Sequence, residues 1–376
     1  MRSSHFHRAA TAVFAGVLSG CSAASLSPPH GAPPEVRVAV RDTYGLGPIV
    51  EPKLAGTILG FDIDQHGNDG VLANYNDRSM RVSLETFDQT TGKVTKLVRE
   101  NAGSSGDYVV YGILGGDVGF LFHNRYDLMN PVAGEKITGS WAPPKPFEVS
   151  QIAENQHSST AVMLGYDMTK SSEPTEVVAA DVVRGTAKII PLDQNLFSTG
   201  GVPVIAQDSV TNQAVIAAQN GGRYTNPVIG IIDLKSGKTV TFTGVGYGQV
   251  DGIGVDTKTG VVCTTTGIDA GIEFYDLKTH KGSEVQLPNS GGSELHSGAG
   301  VAVDSVHGLC IVAQPVSGDG TQASAIWIVN ENGTSFEEIQ GFNFWFGVAP
   351  EINPEKRIGY VINPRPEYGS LAGFSY

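Results

Sequence analysis

The chain is short of charge, of cysteine and of long apolar runs, and each shortage removes a class of protein. Charged residues are 17% of the 376, below the quarter or so usual for a soluble chain. Basic residues are the minority within that set. The 25 Lys and Arg against 38 Asp and Glu leave a net charge of −13, and a surface so balanced does not neutralise nucleic-acid phosphates. Cysteine occurs three times, at Cys21, Cys263 and Cys310; neither of the last two has a second Cys at zinc spacing. After the N-terminus no apolar run approaches the roughly 18 residues a membrane-spanning helix needs. Outside the first residues, no stretch carries the i, i+3, i+4, i+7 apolar spacing of a long helix, which argues against alternating strand–helix units. The strained Gly-x-Ser-x-Gly turn of serine hydrolases and the glycine loops that cradle phosphates are also missing.

What the chain does have is 48 Gly and 20 Pro, with 40% hydrophobic residues. That composition favours turns and strands over helix bundles and is too apolar for general disorder. The start is basic, with Arg2, His5, His7 and Arg8, and leads into the apolar stretch Ala9–Leu18, the build of an export signal. It ends in Leu18-Ser19-Gly20-Cys21, which resembles the bacterial lipobox. That resemblance implies a lipoprotein signal peptide over residues 1–20 and an acylated Cys21, palmitate being a typical chain, with the acyl groups acting as the membrane anchor. Residues 21–34, with Pro28, Pro29, Pro33 and Pro34, read as a flexible tether. Localisation is then extracytoplasmic, lipid-anchored to the cell membrane or, in a double-membrane bacterium, to the outer membrane. Cys263 and Cys310 each sit in an apolar strand and read first as buried small hydrophobes, with a disulfide as the alternative in an export compartment.

The body is organised by a repeat. Asp208, Asp256 and Asp304 recur every 48 residues, each ahead of a β-branched run such as Val261-Val262 or Ala214-Val215-Ile216. Weaker copies stand at Asp64, Glu154 and Glu351, and one without the acid lies near Val109–Phe120. Within a unit the acid opens a turn, where its carboxylate accepts backbone N–H bonds, and a second strand pair brackets another turn, as in Asp233-Leu234-Lys235-Ser236-Gly237. Four short strands per unit cannot bury two faces alone, so the units must stack radially. The expected fold is all-β: a seven-bladed β-propeller of four-stranded antiparallel blades over residues 35–376. The last unit supplies about three strands, and the pattern Glu35–Arg41 is assigned to complete it, closing the ring.

The turn Val255-Asp256-Thr257-Lys258-Thr259-Gly260-Val261 and the turn Asp233-Leu234-Lys235-Ser236-Gly237-Lys238 resemble the YVTN/NHL-like group of bacterial seven-bladed propellers, over roughly residues 50–376. That group includes binding platforms and lactonases, so the resemblance implies architecture and leaves activity open. In such a ring one face gathers the loops that enter each innermost strand and those that join second to third strands. On that face fall Asn74, Asn76 and Asp77; His123, Asn124, Arg125 and Asp127; Asn220 and Arg223; Asp251 and Asp269; Glu294 and His296; Asn363 and Arg365. The aromatics Tyr247, Trp345, Phe346 and Tyr368 lie near the same loops, as contact anchors or as blade packing. His66, His157 and His307 fall on the opposite face, as turn residues.

Two functional classes follow. The first is a membrane-tethered binding or assembly module whose loop face recruits an envelope protein, peptide or glycan. The second is a metal-dependent envelope hydrolase of lactonase type. In it Asp77, Asp251, Glu294 and His296 converge on a divalent cation (Ca, Mg or Zn), since three oxygen donors and one imidazole suit a hard or borderline ion that lowers the pKa of a bound water. Binding without catalysis is the preferred expectation.

Overall fold

The structure, a computed structural model, describes residues 38–41 and 57–376 apart from short stretches, of which 102–107, 131–135, 155–159, 198–202, 288–299, 316–323, 343–348 and 364–369 are the longest. The expected signal peptide, the tether and Cys21 lie outside the described residues.

Its building unit is the acidic turn. Asp208 Oδ1 accepts the N–H groups of Val210 at 2.9 Å and Thr211 at 3.2 Å. Asp256 Oδ1 does the same for Lys258 and Thr259, and Asp304 Oδ1 for Val306 and His307. The residue four positions on donates its N–H back to the acid's carbonyl, from Gly260 at 2.8 Å and Gly308 at 2.9 Å. That residue turns the chain with a left-handed φ, 76° at Gly260 and 65° at Gly308, where a Cβ is disfavoured; Asn212 takes the position at 55°. The outer turns repeat the scheme at Asp88, Asp233 and Asp276. There the backbone N–H groups of Thr91, Ser236 and Thr279 hold the carboxylates below their usual range.

Between such turns the strands run as antiparallel meanders. Six blades occupy residues 57–101, 108–141, 147–191, 204–243, 250–286 and 300–342, each with four strands in sequence order. A closing sheet of three strands follows at Glu351–Asn353, Ile358–Asn363 and Ser370–Ser375. The first strands stand side by side around a ring, and Glu351–Asn353 lies between those of blade six and blade one. The expectation of seven four-stranded blades is therefore corrected: six are complete, and the closing sheet has three strands.

The N-terminal strand is corrected as well. Val38–Arg41 does not complete the closing sheet but pairs in parallel with the outer strand of blade six, Val38 against Phe336 and Arg41 against Ile339. Alternating residues define a strand without specifying its partner, so the pattern suited either edge.

The core lies between sheets, as stacking requires. Val162, Leu164, Val177 and Ile190 of blade three meet Ile205, Ile216, Val228 and Ile232 of blade four, with Phe197 of the single helical turn Gln194–Phe197 filling the space. Cys263 and Phe274 of blade five meet Cys310, Val312 and Trp327 of blade six. Here the alternative reading of the cysteines holds: Cys263 and Cys310 form a disulfide with Cα atoms 6.4 Å apart. Their strands stack side by side, which brings the two apolar positions into bonding range.

The ring closes through side chains. Phe87 of blade one meets Tyr360 of the closing sheet edge-on at 5.5 Å, within a cluster that includes Phe61, Leu72 and Leu371. Tyr360 donates its hydroxyl to the Gln89 carbonyl at 2.9 Å. The Asn353 amide lies 3.0 Å from the carbonyls of Asp64 and Gly67 and from Gln89 Oε1.

Candidate functional site

A radial meander has two unlike faces. The turns within each strand pair form the lower one, and all of these have two to five residues. The upper face carries the strand ends that are joined by the links between sheets and by those between second and third strands, among them the widest intervals between strands, Pro191 to Val204 and Gln286 to Gly300. Long connections on a rigid scaffold are where binding residues concentrate.

Several sequence-derived residues have described positions. Asn74 ends the second strand of blade one and is 6% exposed, its Oδ1 buried and without a hydrogen-bond partner. Arg125 opens the third strand of blade two and donates Nε–H to Asp127 Oδ2 at 2.7 Å, with a second guanidinium nitrogen at the same distance. Asp127 is 1% exposed and its Oδ1 has no partner. This buried carboxylate fixes the guanidinium, whose side chain stays 55% exposed, as a positive group presented to solvent. Asp251 is the extra residue of a bulge in the first strand of blade five, where pairing shifts between Val250 and Gly252. A bulge re-aims a side chain. Tyr247 is 45% exposed, as a contact residue requires. His307 belongs to its lower turn as expected, with Nδ1 2.7 Å from Asp304 Oδ2.

Of the remaining candidates, Asp77, His123, Arg223, Asp269, Glu294, His296 and Arg365, with Trp345, Phe346 and Tyr368, lie outside the described residues, as do His66 and His157. Of the four candidate metal ligands only Asp251 is described. Among the described residues no group of three or more His, Cys, Asp or Glu is gathered as a metal needs.

Two polar clusters escaped the sequence reading. Lys145, in the link between blades two and three, donates to Asp167 Oδ2 at 2.7 Å and to Glu176 Oε2 at 2.8 Å. The Lys145 bond, then the Thr169 hydroxyl, hold the Asp167 carboxyl well below the usual range. This triad ties the entry of blade three to its second and third strands. Glu273 of blade five is 0% exposed and accepts the hydroxyls of Thr264 at 2.9 Å and Thr266 at 2.6 Å. Burial drives it well above the ordinary carboxyl value against those bonds. The signal for Glu273 was its place inside the apolar run Gly271-Ile272-Glu273-Phe274-Tyr275; Lys145 left none, since its partners are 22 and 31 residues away.

On the lower side a groove of about 310 Å³ opens between blades three and four, lined by Thr160, Asp181, Thr186, Lys188, Asn212 and Leu234. Its ammonium, Lys188 Nζ, is bonded to the Lys235 carbonyl at 2.6 Å.

No protein-family model matches the chain, and no curated protein sequence matches it. Solved structures do. One, titled "Crystal Structure of Mitotic Checkpoint Complex", is similar over 95% of this chain and 99% of that chain, with a TM-score of 0.59 and 14% identity. At that identity the likeness shows the fold alone, a β-propeller of antiparallel four-stranded blades. It is one of 1030 matching chains, and a shape shared so widely selects no activity.

Proposed function

We propose that the chain is a bacterial lipoprotein of YVTN/NHL-like type, an exported propeller held on a membrane by acylated Cys21 and acting as a binding or assembly module. The observation that carries this reading is the asymmetry of the ring. Tight Asp-capped turns fix the lower face, and every long link, with the exposed Arg125 guanidinium and Tyr247, belongs to the upper one. A rigid frame presenting mixed polar loops costs a partner little ordering entropy. The buried Cys263–Cys310 disulfide supports an oxidising compartment, and the lipobox supplies the anchor. The likeness to a chain from a protein complex is in keeping with recruitment of an envelope protein, peptide or glycan.

Two measurements test the reading. Full-length protein fractionates with membranes and its N-terminal peptide carries the mass of acyl chains, whereas Cys21→Ala appears in the soluble fraction; a membrane-bound Cys21→Ala removes the anchor. In melts of the mature domain, Ca²⁺, Mg²⁺ and Zn²⁺ leave the midpoint unchanged, since only an ion that binds the folded state raises it. A rise with one ion, together with lactone hydrolysis that depends on it, overturns the binding module in favour of the lactonase-type hydrolase.

A further inference from the structure

Asp256 and Glu331 belong to neighbouring blades. Asp256 follows the first strand of blade five, Val250–Val255, and Glu331 follows the third strand of blade six, Ser324–Asn330. Asp256 is 0% exposed. Its Oδ1 is occupied by the N–H groups of Lys258 and Thr259, while Oδ2 is buried and receives no donor. Glu331 mirrors it: Oε2 accepts the Thr259 hydroxyl at 3.1 Å, and Oε1 is buried without a donor. The two side chains are in hydrogen-bonding contact with each other. Two carboxylates in that relation repel, but a single proton between them makes a strong charge-assisted bond.

We propose that Asp256 and Glu331 share one proton at neutral pH, and that this proton is a pH-sensitive latch between the lower turns of blades five and six. The surrounding charges are in place around it. Lys258 lies on the same turn as Asp256. Asp276 and Lys278 belong to the outer turn of blade five, whose Leu277 N–H bonds the Gly260 carbonyl. On the first turn of blade six, Ser305 accepts the Thr257 N–H, and Asp304 is engaged by His307 and the Tyr376 hydroxyl. Burial, then the Asp256 carboxylate, push Glu331 up to about 8. Against burial, the bond from Glu331 and the Lys258 N–H keep Asp256 below its ordinary value. Two backbone N–H groups bond Asp256 and one hydroxyl bonds Glu331, so the hydrogen bonds favour the charge on Asp256 and the proton on Glu331.

The folded form holds this proton more tightly than the unfolded chain. The latch is complete below the ordinary Glu value of 4.5, and its contribution is lost as pH rises to about 8. The Cys263–Cys310 disulfide crosses the same junction, so release frees the turns without parting the blades.

The test is the folding equilibrium in denaturant from pH 5 to 9, for wild type and Glu331→Gln. A Gln amide donates to Asp256 and has no proton to lose. The wild-type folding constant falls relative to the variant by up to about tenfold per pH unit across the window and levels off near pH 8. Other acids that burial pushes upward, such as Glu273 and Asp62 of the strand Thr57–Ile63, contribute to both profiles and cancel in the difference. Parallel profiles overturn the latch. Thr259→Val supplies a second reading should Glu331→Gln fail to fold. It removes a bond to the ionised form, so the levelling point moves to higher pH; an unmoved point overturns the proposal.

Discussion

Replacing both Cys263 and Cys310 with alanine lowers the unfolding free energy by about 4 kcal/mol, the entropy of closing a loop this long in the unfolded chain. The bridge spans 47 residues of sequence and joins two adjacent blades, with Cα atoms 6.4 Å apart. Both sulfurs are at most 1% exposed, so reductant reaches them only through unfolding. The measurement is therefore a pair of denaturant titrations, one of the double variant and one of wild type refolded under reductant, each compared with the oxidised protein. Loss of less than 1 kcal/mol in both would mean that the sulfurs pack but do not bond. Because blade packing through Phe274, Val312 and Trp327 survives the substitution, the ring still forms, with a lower midpoint.

Asn353→Leu costs about 3–5 kcal/mol, and Asn353→Asp more. In blades four to six the turn position is Asp, whose carboxylate only accepts. At the closing sheet Asn353 Oδ1 accepts the Lys356 N–H at 3.1 Å, as an Asp would, but Nδ2 faces three oxygens across the junction, those of Asp64, Gly67 and Gln89. Unlike a carboxylate, an amide accepts on one side and donates on the other. Leucine keeps the volume and leaves buried acceptors unmatched, each at roughly 1–3 kcal/mol. Aspartate turns a carboxylate onto carbonyls in a site that is 0% exposed. Thermal melts of the two variants decide the matter. The aspartate variant recovers part of its loss toward pH 4, where protonation restores a donor. If Asn353→Asp melts with wild type, the ring is not closed by this amide.

The same residue marks how far sequence reasoning reaches. The 48-residue recurrence of Asp208, Asp256 and Asp304 gave radial four-stranded units, because a turn that needs an acceptor at one position and a left-handed residue four on leaves a readable trace. The upper and lower faces followed from strand order. The repeat pattern placed the weaker copy of the closing sheet at Glu351 and passed over Asn353, which holds the turn position and whose partners are 264 to 289 residues away. Lys145, with Asp167 and Glu176, was silent for the same reason. Of the proposed site, Asn74, Arg125, Asp127 and Asp251 have described places on the upper half, and only the Arg125–Asp127 pair, two residues apart along one strand face, was within reach of a local rule.

By itself the chain determined its period, its turns, the all-β class and which side of the ring carries the long links, because each depends on bonds made within a few residues. Tertiary structure decided the rest. It chose the blade that Val38–Arg41 joins, the three-stranded closing sheet, the pairing of Cys263 with Cys310 and the meeting of Asp256 with Glu331. Those outcomes turn on which neighbour a surface meets once the ring has formed, and distance along the chain carries no record of that.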